Sequence, residues 1–412
     1  MLSSLVGGVG RLVVSAGLAV ASVAAFSVPA PTAQAQPGGM MGMFGGMGGG
    51  RGQGTEPTYT SRDLERAGEM LTWDAAQKEA AKTFLDSYQT TFTEEAAKFR
   101  TAMDKAREAF NEDRDPAVWD GVRKAGEELA AKRTKLDKEL LENLQAVCND
   151  DQKTKWPKFE RTQRREIGLE RGAFLSGERV NLIAIVDKLE LATEAKGAVT
   201  PILDQYETDL DLQLQARSKV QEELQKDAQA MFGNMRGFRD FQNLDTKKID
   251  ELISKGRDAS VKVREVNKRY AAQVAAALPA DKKAAFETEV QKQSFPDVYR
   301  QTRTSRSLDA AMGFGDLTAD QKTQVEALRT KYAAELAVMN EKLAEATAKG
   351  EMEMTAEKMM NFGGGADDPL QQARTKKREL GRSTDDTLKK VLTEEQVKRL
   401  PADETGGDGR GR

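Results

Sequence analysis

Apolar residues recur at steps of three and four along nearly all of this chain between residues 61 and 400, and that period commits the segment to helix. Ala81, Leu85, Tyr88, Phe92, Ala96, Phe99, Met103, Ala106 and Phe110 form one stripe. Val118, Val122, Ala125 and Leu129 form the next, continued by Leu136, Leu140, Leu144 and Val147. Further along, Ile249, Leu252, Ala259, Val263, Val266, Tyr270, Val274 and Ala277 repeat the pattern, and Val325, Leu328, Tyr332, Leu336, Met339 and Leu343 repeat it again. No stretch alternates with period two, so an all-α protein without sheet is expected. Stripes of this length suit long antiparallel helical hairpins packed in near-coiled-coil geometry.

The breaks fall where turn chemistry places them. "NEDRDPA" (111–117) and "GGGADDPL" (363–370) each set an Asp before a Pro, the order of an N-cap followed by the first helical residue. "MFGNMRGF" (231–238) is the corresponding interruption in the middle third.

The ends of the helical stretches resemble one another. "VCNDDQKTKW" (147–156), "ALPADKKAAF" (277–286) and "VLTEEQVKRL" (391–400) align so that Cys148, Leu278 and Leu392 are equivalent, as are Trp156, Phe286 and Leu400. A second set opens the stretches: "MLTWDAAQKEAAKTFLDSY" (70–88), "LELATEAKGAVTPILDQY" (189–206) and "DLTADQKTQVEALRTKY" (316–332), reaching Tyr88, Tyr206 and Tyr332. In "LTEEQ" the Thr at the N-cap and the Gln three residues on form a capping box. The chain is therefore expected to carry three tandem copies of one hairpin module. Their boundaries are read as 61–175, 176–304 and 305–400.

Paired short motifs of the form L-T-x-x-Q flanking a helical hairpin resemble the LTXXQ-motif proteins, the Spy/CpxP-like group of periplasmic helical stress proteins. "LTADQ" (317–321) and "LTEEQ" (392–396) match best. "CNDDQ" (148–152) keeps Asp-Asp-Gln, "LTWDAAQ" (71–77) reads with a two-residue insertion, and "LELATEAK" and "LPADK" (278–282) are degenerate. The resemblance implies a helical cradle that binds unfolded clients without ATP. Family members usually carry one module, so three in tandem is a departure.

Composition narrows the function further. The chain has 412 residues, no histidine and one cysteine, Cys148. That removes Ser–His and Cys–His nucleophilic sites, His-containing zinc sites and intramolecular disulfides together. Formal charge is −3 with both signs interspersed, which gives no nucleic-acid signature. Basic runs such as "ERTQRREIGLER" (160–171) are read as a charged helix face. No catalytic residue and no cofactor are assigned.

The first 35 residues read as a secretory leader: Arg11, the apolar run 12–28, and "AQA" (33–35), with cleavage near Ala35. A periplasmic or secreted protein follows, with no integral membrane segment in the mature chain. "PGGMMGMFGGMGGGRGQG" begins a Gly/Met-rich linker over 36–60, expected to be disordered, as is the tail over 401–412. Met40, Met41, Met43 and Met47 in the linker, with Met352, Met354, Met359 and Met360, are weak candidates for a Cu(I) site. Cys148, aligned with two leucines, is expected to be a small buried hydrophobe. The reading these features favour is a non-enzymatic exported protein that binds unfolded or partner proteins. The alternatives are a structural scaffold and a Met-rich copper-handling protein.

Overall fold

The computed structural model describes residues 55–113, 116–170, 173–232, 245–360 and 368–402. The leader, the linker through residue 54 and the tail beyond 402 lie outside the described residues. Every regular element among the described residues is helical: α1 (Ser61–Met70), α2 (Ala75–Asp113), a 3-10 turn at Pro116–Val118, α3 (Trp119–Ala146), α4 (Asp150–Glu170), α5 (Leu182–Asp187), α6 (Thr193–Phe232), α7 (Thr246–Ala277), α8 (Ala280–Ser294), α9 (Pro296–Tyr299), α10 (Arg303–Met312), α11 (Ala319–Met352), α12 (Ala356–Met360), α13 (Pro369–Val391) and α14 (Glu394–Lys398). No strand is found among them, and none of these helices is long and apolar enough to cross a membrane.

Three long antiparallel hairpins dominate: α2 with α3, α6 with α7, and α11 with α13. Each is preceded by a short helix and followed by another that starts the way out. The apolar stripes face inward. Leu85, Tyr88, Phe92 and Ala96 of α2 meet Leu129, Leu136, Leu140 and Leu144 of α3 in one core. Tyr206, Leu210 and Leu214 meet Val263, Val266, Tyr270 and Val274 in a second. Val325 and Tyr332 meet Leu388 and Leu392 in a third, with Leu308 and Ala311 of α10. Each fully buried Leu or Phe contributes about 1.5–3 kcal/mol relative to leaving it in water.

The connecting helices belong to more than one core. Trp156 and Phe159 in the first half of α4 complete the core of the first hairpin, whereas Leu169 near its end lies in the second. Phe286 of α8 closes the second core, and Val298 of α9 packs on Leu343 and Ala344 of α11. Tyr59, placed by composition in the linker, is buried against Tyr88 in an edge-to-face ring contact.

Some helix starts follow side-chain caps, although α3 and α8, starting after Val118 and Pro279, have none. Asp368 Oδ1 accepts the Leu370 amide at 3.0 Å ahead of Pro369, as the Asp-Pro order requires. Thr318 with Gln321 and Thr393 with Gln396 form complete capping boxes.

Candidate functional site

The capping glutamines do more than cap. Gln77 and Gln152, at the two ends of the first hairpin, donate to each other's side-chain oxygens at 2.7 and 2.9 Å. Gln77 also donates to the Val147 carbonyl, and Gln152 to the Thr72 carbonyl. The third hairpin repeats three of these four bonds. Gln321 donates to Gln396 Oε1 at 3.1 Å and to the Val391 carbonyl, and Gln396 donates to the Asp316 carbonyl. The three sequence separations are 75, 70 and 80 residues in both clasps.

The first clasp corrects one alignment. Asp74 Oδ1 accepts the Gln77 amide and Gln77 Oε1 accepts the Asp74 amide, so Asp74 stands in the threonine position. The motif is therefore "WDAAQ" without an insertion, with Trp73 where Leu317 stands. In the second hairpin Ala192, Ala195 and Lys282 occupy the capping and clasp positions, and their side chains cannot form the amide pair.

Eleven residues beyond each opening clasp position lies a buried tyrosine, Tyr88, Tyr206 or Tyr332. Tyr88 donates to Asp137 at 2.7 Å and accepts the Thr58 amide, and burial followed by the Asp137 bond pushes its pKa up to about 12. Tyr206 bonds Asn267 at 2.9 Å and the Val180 carbonyl. Tyr332 bonds Thr302 at 2.8 Å. Asp137, Asn267 and Gly381 all lie 15 residues before the closing position, held by Gln152, Lys282 and Gln396.

Between the first two hairpins lies a band of paired charges. Arg164 grips Asp211 through Nε at 2.6 Å and Nη2 at 3.1 Å, and Arg165 bonds Glu207, which also accepts from Thr162. Thr162, Gln163, Arg165, Glu207 and Asp211 are all buried. The described part of the run, 160–170, is thus not simply a solvated charged face. Its inner edge is covered because α6 offers Glu207 and Asp211 one turn apart, in step with the arginines.

Residues 173–181 tie the elements together. Glu178, with no exposed surface, accepts the Phe174 and Leu175 amides on Oε1 and Arg217 on Oε2. Arg217 also donates to the Gly168 carbonyl. Gly177 sits at φ +87°, in the left-handed region, and its amide reaches the Ser294 carbonyl. Asn267 donates to the Gly177 and Glu178 carbonyls, and Gln293 accepts the Asn181 amide. From the third hairpin, Glu351 accepts both the amide and the hydroxyl of Ser176. Burial raises the Glu351 pKa above its ordinary 4.5. One nine-residue loop is therefore bonded to α6, α7, α8 and α11.

Chemically this junction is a set of fixed anions and cations. Glu178 spends its carboxylate on two amides and a guanidinium, which fixes the loop to α6. Among the described residues no group of three His, Cys, Asp or Glu is placed to hold a metal. Met352 Sδ accepts from Arg264 at 3.4 Å, and Met354 packs in an apolar cluster. A guanidinium on the thioether is a poor neighbour for a copper ion. Met40, Met41, Met43 and Met47 lie outside the described residues, as do the side chains of Met359 and Met360. Cys148 is buried, donates to the Leu144 carbonyl and accepts the Trp73 indole N–H, both at 3.3 Å.

Sequence reasoning located the glutamines but not their pairing, and it did not single out the loop at 173–181. The loop carries no residue type that marks a site, although its Gly-Glu step before an apolar run is a usable signal. Comparison of the chain with protein-family models, with curated proteins and with solved structures finds no match.

Proposed function

We propose that the chain is an exported, non-enzymatic array of three related helical hairpins that binds other proteins in the cell envelope, as an ATP-independent chaperone or stress sensor. The observation that carries this reading is the double clasp. The L-T-x-x-Q-type motifs pair two by two, Gln77 with Gln152 and Gln321 with Gln396, at the same sequence separations. That pairing supports common descent of the first and third hairpins, and the tyrosines at matching positions extend it to the second. Binding by such an array would use apolar burial for affinity and charge for encounter rate.

The test is suppression of aggregation. The purified mature chain, mixed near-stoichiometrically with an unfolding client, is expected to keep that client in solution. Failure at that ratio sinks the chaperone reading.

A second reading, a scaffold without clients, has its own support. Among the described residues the exposed large apolar side chains are Leu212, Val338 and Met352. A holdase working from an open apolar patch needs more than that. Recovery of one stoichiometric envelope partner, without any aggregation suppression, favours the scaffold. A Cu(I) competition titration at the level of a chelator blank removes the copper reading.

A further inference from the structure

The end of the third hairpin is held on the second in an unusual way. Residues 351–356 lie across the start of α7, and the groups that hold them act mostly on backbone. Asp250 Oδ1 accepts the Ala356 amide at 2.7 Å. Arg257 Nη1 donates to the Met352 carbonyl at 2.8 Å and reaches the Met354 carbonyl at 3.5 Å. Between these polar contacts, fully buried Ala356 and half-buried Met354 pack against Ile249, Ile253, Phe174 and Met231. The strap is anchored at one end by Glu351 on Ser176.

An acceptor for a peptide N–H, a donor shared by two peptide carbonyls and an apolar floor between them form a receptor for a peptide segment. Main-chain bonds supply affinity that does not depend on sequence, and the floor selects small or flexible apolar side chains. Ile249 and Ile253 are buried in one cluster with Ala356 and Met354 of the strap, so its removal takes away part of their cover.

We infer that the cleft formed by Asp250, Arg257, Ile249, Ile253, Phe174 and Met231 is a peptide-binding site, occupied in this state by residues 352–356 of the same chain, and that an unfolded client segment binds by displacing that strap. The inference rests on the protein-binding reading and deepens it. It also accounts for a binder with few exposed apolar residues, because the apolar surface is sheathed until a competing segment arrives. Affinity for an external segment is then reduced by the fraction of molecules whose strap is open.

The experiment uses the full mature chain and a fluorescent peptide copying residues 349–358. Ala356→Asp places a charge in a buried position and Met354→Asp one in a half-buried position, so each expels the strap, the second with less risk to the fold. Both variants, checked for helix content, are expected to bind the peptide at least about tenfold more tightly than the parent chain. Adding Arg257→Ala is expected to abolish that gain, and a peptide N-methylated at the position of Ala356 to bind poorly. Strap variants that bind no more tightly than the parent overturn the proposal, and so does a gain that survives Arg257→Ala. Peptide capture without suppression of client aggregation leaves the cleft standing and sinks the chaperone reading. Aggregation suppression that persists in Arg257→Ala, with peptide binding lost, overturns the cleft as the client site.

Discussion

Gln77 and Gln152 exchange side-chain hydrogen bonds in both directions, while each oxygen also accepts the amide of its own helix cap. One pair of side chains therefore sets two helix starts and holds the two ends of a hairpin together.

Substituting either partner should loosen a hairpin base. In the third hairpin, Gln396→Ala removes the bonds of buried Gln396 to Gln321, to the Asp316 carbonyl and to the Thr393 amide, while Gln321 keeps only the Val391 carbonyl and its own cap. The expected loss is about 1–3 kcal/mol, read from urea unfolding. A double-mutant cycle on Gln77 and Gln152 should give a coupling energy well above zero. Additive single effects would show that the clasp carries no shared energy.

Glu178 is fully buried and depends on Arg217. Arg217→Met should cost about 3–5 kcal/mol, because it strands a carboxylate in the interior. Glu178→Gln with Arg217→Met should be less damaging than Arg217→Met alone. Thermal melts of the three variants decide the order.

Both amide atoms of Gln163 lack a hydrogen-bond partner among the described residues, although the side chain is 3% exposed. Gln163→Met keeps the length and removes the polar atoms. Stability should rise by about 1 kcal/mol in chemical denaturation. A fall would mean that the amide is satisfied by a group such as bound water.

The strap should respond to pH through Glu351. Burial, with Glu178 nearby, raises its pKa, while Ser176 and Arg264 oppose the shift. A raised folded pKa means the docked state holds the proton more tightly than the free state. Docking is then strongest at and below the ordinary carboxylate value and weakens as pH rises through the raised one. Asp209 has the opposite sign: its pKa is lowered, first by the Tyr270 hydroxyl, so its contribution is lost as pH falls. A local readout is therefore required. Binding of the strap-copy peptide, made with Gln at the position of Glu351 so that it does not itself titrate there, should increase with pH in the parent chain and be flat in Glu351→Gln.

Cys148 should be inert. Its thiol is buried between Trp73 and the Leu144 carbonyl, so a thiol reagent should label it only on unfolding. Labelling at the rate of a free thiol in the folded chain would contradict this packing.

Much of the fold was legible because helix periodicity is a local signal. The stripes through Leu85 and Leu140 predicted buried faces, Asp368 and Pro369 predicted a helix start, and alignment of Cys148 with Leu392 predicted a core position. Asp74 was misaligned because any short side-chain acceptor can cap, so the residue type did not mark the register. The charged band was missed because Arg165 looks the same in sequence whether it meets water or Glu207, 42 residues away. The loop at 173–181 and the cleft at Asp250 were hidden for another reason. They act through main-chain groups, which every residue possesses.

The dual membership of α4 bears on how such a chain can be cut and copied. Its first half walls one core with Trp156 and Phe159, and its second half walls the next with Leu169. Severing the chain at a hairpin base would leave one core without a wall and the other with a surplus helix. A break at a hairpin tip would part α2 from α3, or α6 from α7, inside a single core, so a transplantable piece has to carry the first two hairpins together with the helix they share.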